Sequence, residues 1–233
     1  MTPRMAVFDV DGTLTKGYYI VKFARFLSRS GMFSKVELDS MENLLYRYKS
    51  GICSYKIASE EAVLHFARGV KGAKQDDVMK AGELYIKTHK TDKFNFTDGL
   101  IGMLKSRNYK IMILSASPLE IIKPFAENIG NDATFATILK TEHGLFTGGL
   151  EQDCSKDDVK KTLVEDYFNR NGIDAKSSVG FADTEADLAF LGVVGYPVAI
   201  NPNTALETEA RKKGWLICVE GDDVKGMVGK YIP

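Results

Sequence analysis

Short apolar segments, each bounded by polar residues, recur along the chain. They are Met5–Val10, Lys110–Ser115, Val179–Asp183, Tyr196–Ile200 and Trp215–Val219. Continuous apolar runs of this length are typical of strands that are buried on both faces of a parallel sheet. The first run is apolar except for Asp9. The pattern therefore predicts five buried strands, several of which end at a polar side chain.

Segments with apolar residues at helical spacing lie between these strands. They are Pro118–Ile129, Asp157–Arg170 and Asn203–Lys213. Proline at the start of the first and glycine shortly after the ends of the other two are typical of helix boundaries. Strands that alternate with helices predict an α/β fold, a doubly wound parallel sheet with helices on both faces. The segment Thr137–Glu151 departs from this alternation, and its pairs His143-Gly144 and Gly148-Gly149 predict a β-hairpin.

A long insertion, about Gly17 to Phe96, separates the first two strands and contains helical patterns only. The predicted helices are Tyr18–Ser30, Ser34–Ser50, Ser54–Gly69 and Gln75–His89. Glycines between successive helices mark the turns. Four short helices in one insertion predict a small α-helical bundle that sits on the main domain as a cap. We therefore expect residues 17–96 to form the cap, and residues 1–16 and 97–233 to form the core.

Composition and charge narrow the class of protein. The 233 residues suit one domain with a modest insertion. The 31 basic residues balance the 31 acidic ones, so no net field favours nucleic acid or an anionic membrane as a partner. The three cysteines are far apart, and no apolar run approaches the length of a signal peptide core or a membrane span. These features lead us to expect a soluble cytoplasmic protein.

Two acids follow the first strand directly, in the segment Asp9-Val10-Asp11-Gly12-Thr13. Alternate side chains of an extended chain face the same way, so both carboxylates can reach one site. Burying two carboxylates together is unfavourable unless a cation or a proton compensates. Gly12 allows the chain to turn sharply. Taken alone, the segment is equally consistent with a strand followed by an Asp-Gly turn.

Three further features could belong to the same site. Ser115 precedes a predicted helix, where a hydroxyl and free backbone N–H groups can bind an anion, although a helix N-cap is the simpler interpretation. Lys160 lies near the start of another helix, where lysines are usually solvated. Asp183 and Asp187 follow the third strand, where the helix dipole favours acids in any case. None of these features is specific alone.

Together, and in this chain order, the four segments resemble the motifs of the haloacid dehalogenase superfamily. The similarity is greatest to its phosphoserine-phosphatase-like subfamily IB hydrolases, whose helical cap is inserted between the first and second motifs. It covers nearly the whole chain, including the hairpin Gly144–Gly148 and the segment Val198–Pro202. Family spacing, counted back from Asp174, selects Lys160 over the neighbouring lysines.

This resemblance implies a Rossmann-like core and a Mg²⁺-dependent phosphatase. Asp9 would be the nucleophile that takes the phosphoryl group, and Asp11 would protonate the leaving oxygen and then activate water. Asp9, Asp183 and the backbone carbonyl of Asp11 would ligate Mg²⁺, with Asp187 holding the metal site from close by. Lys160 would neutralise the phosphate and Asp9.

The resemblance also implies the substrate contacts. Ser115 and the N–H of Ala116 would hold phosphate oxygens, and Gly12 would lie against the substrate. Phosphoserine phosphatases carry a glutamate for the substrate amine at the position of Tyr18, and a cap arginine for its carboxylate, for which Arg68 is a displaced candidate. Ala182 and Ala186 also replace the family's usual glycine and asparagine.

These departures predict a small phosphorylated metabolite other than phosphoserine as the substrate. Three alternatives remain at this stage: a phosphoserine phosphatase proper, a phosphotransferase that uses an acceptor other than water, and a non-catalytic relative that only binds phosphate. The sequence does not predict an oligomeric state.

Overall fold

A computed structural model describes residues 2–89 and 92–233. Its described residues form one seven-stranded sheet, with the order β4-β3-β2-β1-β5-β6-β7. The strands are β1 (Arg4–Phe8), β2 (Tyr109–Pro118), β3 (Ala133–Glu142), β4 (Leu145–Gln152), β5 (Val179–Ala182), β6 (Tyr196–Ile200) and β7 (Leu216–Cys218). All neighbouring strands are parallel except β3 and β4. The predicted α/β class and all five predicted strands are confirmed.

Helices connect the strands and cover the sheet. They are α1 (Tyr19–Arg29), α2 (Lys35–Lys49), α3 (Tyr55–Gly69), α4 (Gln75–Thr88), α5 (Thr97–Ser106), α6 (Leu119–Ile129), α7 (Asp157–Asn171), α8 (Leu188–Leu191), α9 (Thr204–Lys213) and α10 (Val224–Tyr231). The four predicted insertion helices correspond to α1–α4, which we call the cap helices. The division of the chain into core and cap domains stays a prediction.

The predicted hairpin exists, but it is part of the main sheet. Its turn lies at His143-Gly144, where both residues have positive φ, 51° and 76°, as a two-residue hairpin turn requires. β3 begins at Ala133, earlier than expected, and pairs in parallel with β2. The sequence pattern missed this pairing because the first residues of β3 are only partly buried and do not form an apolar run.

Apolar residues cover both faces of the sheet. Along β1, Met5 and Val7 face one cluster, while Ala6 and Phe8 face the other, because side chains alternate along a strand. The second cluster continues without a break into the cap helices and includes Phe23. Since burial of apolar area is the main favourable term in folding, the same cluster stabilises the core and holds the cap helices against it.

Helix α4, one of the cap helices, packs closely against α6. A Cβ atom added at Gly82 of α4 would lie 1.9 Å from the carbonyl oxygen of Glu120 in α6. A larger residue at this position would therefore separate the two helices. The ring of Tyr19 in α1 also packs edge-on against Phe125 of α6, with the ring centroids 5.6 Å apart.

Among the described residues, none of the helices combines the length and the apolar character that crossing a bilayer requires.

Candidate active site

Three adjacent strands bring the predicted polar residues to one edge of the sheet. β1 lies between β2 and β5, and Phe8 is in register with Ile113 and Phe181. Asp9 follows Phe8 directly, while Ser115 and Asp183 come two residues after its partners. Because parallel strands end at the same edge, residues that are distant along the chain meet there.

The turn after β1 depends on Gly12. Its φ of +82° lies in the left-handed region, and an added Cβ atom would lie 2.0 Å from Oδ2 of Asp183. The side chain of Asn201 donates a hydrogen bond to the Gly12 carbonyl, 3.4 Å away. Gly12 therefore lets the backbone pass directly against Asp183, which a residue with a side chain would displace.

Lys160 joins two of the acids. Its Nζ lies 3.0 Å from Oδ1 of Asp9 and 2.6 Å from Oδ1 of Asp187. All three side chains are buried, whereas the neighbouring Lys156 and Lys161 are exposed. Removal of any one of these three side chains would destabilise the protein, because it would leave a buried charge without its partner. Lys160 therefore differs from the solvated lysines that are usual at the start of a helix.

The acids around Lys160 form a candidate metal site. Carboxylate oxygens of Asp9, Asp183 and Asp187 lie within 4.8 Å of one another. Oδ1 of Asp183 is buried and has no hydrogen-bond partner among the residues that the structure describes. Burial raises the pKa of Asp9 to about 8, although Lys160 opposes the shift. Three carboxylates facing one ammonium call for a further positive charge, and hard oxygen ligands of this kind suit Mg²⁺.

Asp11 is held separately from this cluster. The backbone N–H of Tyr19 donates to its Oδ1 at 2.7 Å, and the hydroxyl of Ser117 donates to its Oδ2 at 2.6 Å. Burial raises the pKa of Asp11 to about 6, and these two hydrogen bonds oppose the rise. A carboxyl with such a pKa can both give and take a proton near neutral pH.

Ser115 lies at the same edge, at the bend where β2 leads into α6. Its Oγ accepts a hydrogen bond of 3.1 Å from the N–H of Ser117. The interpretation of this region as a simple N-cap is wrong, because the N-cap position of α6 is Pro118, which supplies no side-chain hydrogen bond. Ser115, Ala116 and Ser117 form a short segment beside Asp11, to which Ser117 is hydrogen-bonded.

A narrow cavity lies between this segment and the cap helices. Its volume is about 50 Å³, and Asp11, Ala116 and Ser117 line its core side. Tyr18, Tyr48 and Tyr55 form part of the opposite wall. The centroids of the three rings lie 5.5–6.4 Å apart. The sequence-predicted Tyr18 is therefore next to the site.

Arg68 is not brought to this cavity. It lies on the outside of α3, about half exposed, with its Nε 3.4 Å from Glu37 and its Nη2 3.0 Å from His65. Phe66, two residues earlier, is fully buried. Since successive helix positions are about 100° apart, a buried Phe66 directs Arg68 to the opposite side of the helix.

Three residues at the site were missed in the sequence. Ser117 could have been recognised as a second hydroxyl two residues after Ser115, but the N-cap interpretation accounted for it. Tyr48 and Tyr55 lie at the facing ends of α2 and α3. Their spacing carries no signal beyond that of an amphipathic helix, so only the packing of the helices identifies them.

Comparison with known protein families gives a match that contains the whole acidic centre. A family model described as haloacid dehalogenase-like hydrolase matches residues 6–192 of the chain. This range includes the turn after β1, the end of β2, Lys160 and both acids that follow β5.

Individual relatives act on different phosphate esters according to their names. The phosphoserine phosphatase SerB1 of Mycobacterium tuberculosis is 26% identical over 220 residues, which cover 91% of this chain and 69% of that protein. The histidinol-phosphatase of Neisseria meningitidis is 24% identical over 217 residues, or 91% of this chain and 96% of that protein. A solved structure described as a phospho-aspartyl intermediate analogue of phosphoserine phosphatase has a TM-score of 0.71 at 21% identity, over the full length of both chains. At that identity the structural likeness establishes a shared fold.

Proposed function

Because the chain belongs to the haloacid dehalogenase-like hydrolase family, we propose that it is a Mg²⁺-dependent phosphatase. Its substrate would be a small organic phosphomonoester, and the phosphoryl group would be carried on Asp9. The observation that supports this most strongly is the buried carboxylate of Asp9. It lies at a strand end between Lys160 and Asp183, while Asp11 faces the cavity nearby.

In the first step, a carboxylate oxygen of Asp9 forms a bond to phosphorus, and the bond between phosphorus and the ester oxygen breaks. Asp11 gives its proton to that oxygen, so the alcohol leaves neutral. Ser115 and the N–H of Ala116 hold phosphate oxygens, and Lys160 offsets the repulsion between the phosphate and Asp9. Such positioned charges act mainly by stabilising the transition state.

In the second step, water replaces the alcohol. It gives a proton to Asp11 and attacks the phosphorus of the aspartyl phosphate. The bond between phosphorus and Asp9 breaks, which releases inorganic phosphate and restores both carboxyl groups. A covalent intermediate of this kind divides a difficult hydrolysis into two easier steps.

The residues at the site fit a Mg²⁺ ion. Asp9, Asp183 and the backbone carbonyl of Asp11 would hold it, and Asp187 would support the site through its contact with Lys160. The free, buried Oδ1 of Asp183 is the feature that calls for such a ligand. When bound, Mg²⁺ would supply the positive charge that the three carboxylates and a phosphate need.

Phosphate release from a panel of phosphomonoesters tests the proposal. We expect activity with Mg²⁺ and none in excess chelator. Asp9→Asn should abolish turnover, and Asp11→Asn should lower it by about 10²–10⁴-fold, as expected for loss of a general acid–base group. The matched control is Asp166→Asn, an exposed position of α7, which should retain full activity. Near-normal turnover by Asp9→Asn would refute the mechanism.

A further inference from the structure

The cavity beside Asp11 is where the leaving group of the ester has to lie. Asp11 and Ser117 form its core side, and their side chains are hydrogen-bonded to each other. If Asp11 protonates the ester oxygen, as the proposed function requires, whatever that oxygen carries extends from Asp11 toward the cap helices. The chemistry of the cavity wall therefore determines which alcohols are accepted.

The wall is almost free of charge. Among the described residues that line it, the ionisable groups are the carboxyl of Asp11 and the phenols of three tyrosines. Burial raises the pKa of Tyr18, Tyr48 and Tyr55, so these phenols stay neutral. The rest of the wall is largely aliphatic. The aliphatic side chains of α2 and α3 that line it, which we call its aliphatic end, are Met41, Leu44, Leu45, Ala58, Ala62 and Val63.

Apart from Asp11, which the proposed reaction uses as its acid and base, a charged leaving group would find no charged partner in such a wall. An ammonium or a carboxylate that enters the cavity loses its hydration, and this loss is repaid only by an opposite charge with good hydrogen-bond geometry. Arg68, the nearest predicted candidate for a carboxylate partner, is bound to Glu37 on the outside of α3. Apolar groups, by contrast, bind favourably against the aliphatic end and the ring edges, because their apolar surface is removed from water.

The tyrosines do not form a cage for a cation. The Tyr48 ring packs edge-on against Tyr18 and Tyr55, with centroid distances of 6.2 and 5.5 Å. Rings this close fill the space between them with each other's edges. A quaternary ammonium needs the open faces of several rings around it, and this arrangement does not provide them.

We propose that the substrate is the phosphomonoester of an uncharged alcohol with a short apolar body, which lies between the three tyrosines and the aliphatic end of the cavity. This inference rests on the proposed function and specifies its substrate class. The cavity of about 50 Å³ has room for roughly four water-sized groups, since about 10–15 Å³ holds one water. A four-carbon chain is therefore a suitable probe.

Alkyl phosphates with and without a charged group on the leaving alcohol test the proposal. We would measure kcat/KM with Mg²⁺ for butyl phosphate, 4-aminobutyl phosphate, 3-carboxypropyl phosphate, choline phosphate and phosphoserine. Butyl phosphate should exceed each charged ester by at least about tenfold, equivalent to about 1.4 kcal/mol. A charged ester that equals or exceeds butyl phosphate would overturn the substrate class but leave the phosphatase proposal intact. Failure to release phosphate from every ester would overturn both.

Two variants in α2 separate a cavity effect from a general loss of structure. Tyr48→Ala removes part of the wall and should reduce the preference for butyl phosphate to less than about threefold. Tyr46→Ala removes a tyrosine that is 67% exposed on the same helix, and should leave all rates unchanged. If Tyr48→Ala kept the full preference, the tyrosine wall would not be the determinant.

A variant that gains a contact keeps the test informative if Tyr48→Ala does not fold. Leu45 lines the cavity and is only partly buried, so a long cationic side chain can be placed there with access to solvent. Leu45→Arg should raise kcat/KM for 3-carboxypropyl phosphate relative to butyl phosphate by at least about tenfold. An unchanged ratio in a folded variant would contradict the assignment of this cavity to the leaving group.

Discussion

At the scale of single residues, Gly12 fixes the distance between the turn after β1 and Asp183. Two separate effects oppose any other residue there: the positive φ of +82° and the 2.0 Å approach of Asp183 Oδ2 to the position of a Cβ atom. The first strains the backbone of every residue with a side chain. The second would move a carboxylate that we expect to ligate Mg²⁺.

We therefore expect Gly12→Ala to raise the Mg²⁺ concentration needed for half-maximal activity by at least about tenfold and to lower the free energy of unfolding by about 1–3 kcal/mol. The control is Gly214→Ala, since Gly214 also has positive φ, +68°, but open space around it. Gly214→Ala should lower the free energy of unfolding but leave the Mg²⁺ requirement unchanged. An equal Mg²⁺ requirement in the two variants would show that the contact with Asp183 does not matter.

At the scale of elements, α6 carries a buried acid in its first turn, where its backbone packs against α4. Glu120, in the first turn of α6, is 2% exposed, and its Oε2 has no hydrogen-bond partner in the described part of the chain. Burial raises its pKa from 4.5 to about 7. In the unfolded chain the carboxyl ionises as the pH rises through 4.5, while in the folded protein it stays protonated until about pH 7. Stability therefore falls over this interval and levels off above it.

The shift corresponds to about 3 kcal/mol of stability lost between pH 4.5 and pH 7. Glu120→Gln cannot ionise, so its free energy of unfolding should fall less than that of the wild type between pH 5 and pH 8, by up to about 3 kcal/mol. Denaturant unfolding across this range measures the difference. Glu127→Gln, an exposed position of the same helix, should follow the wild-type curve. Parallel curves for Glu120→Gln and wild type would mean that Glu120 is not buried as described.

At the scale of the whole molecule, the two chain segments that join cap helices and core lie side by side. The N–H of Lys16 donates to the Asp92 carbonyl at 2.7 Å, and the N–H of Phe94 and the hydroxyl of Thr97 both donate to the Leu14 carbonyl. On the far side of the site, Lys56 of α3 lies 3.6 Å from Asp157 of α7. The cap helices are also held elsewhere, because α4 packs on α6 and backbone hydrogen bonds join Gly72 and Ala73 to Phe146 of β4.

We expect the cap helices to close further over the substrate by movement at the two joining segments, which would exclude water and complete the cavity. Hydrogen exchange with Mg²⁺ and a phosphate analogue such as fluoroberyllate tests it. Exchange should slow by several-fold in α2, in α3 and in the two joining segments, and remain unchanged in α9. Asp9→Asn under the same conditions is the control. If hydrogen exchange in the cap helices of the wild type did not change, closure of the cap on ligand binding would be ruled out.

Local patterns in the sequence were sufficient for much of this protein. Run length and periodicity predicted the five strands, the α/β class and the four insertion helices, because buried strands and amphipathic helices depend on neighbouring residues. The spacing of Asp9, Asp11 and Gly12 after a strand predicted an acidic site, because strand ends in a parallel sheet face one edge. Resemblance to a known family then assigned chemistry to these positions, including the choice of Lys160.

Only the tertiary structure decided what surrounds that site. The cavity wall combines Tyr18, Tyr48 and Tyr55, which come from three segments and meet only when α1, α2 and α3 pack. The rotation of α3 that buries Phe66 turns Arg68 outward. Glu120 is buried in the folded protein, in the turn of α6 whose backbone packs against α4. Contacts of this kind depend on how helices pack in three dimensions, which a periodic pattern of apolar residues does not specify.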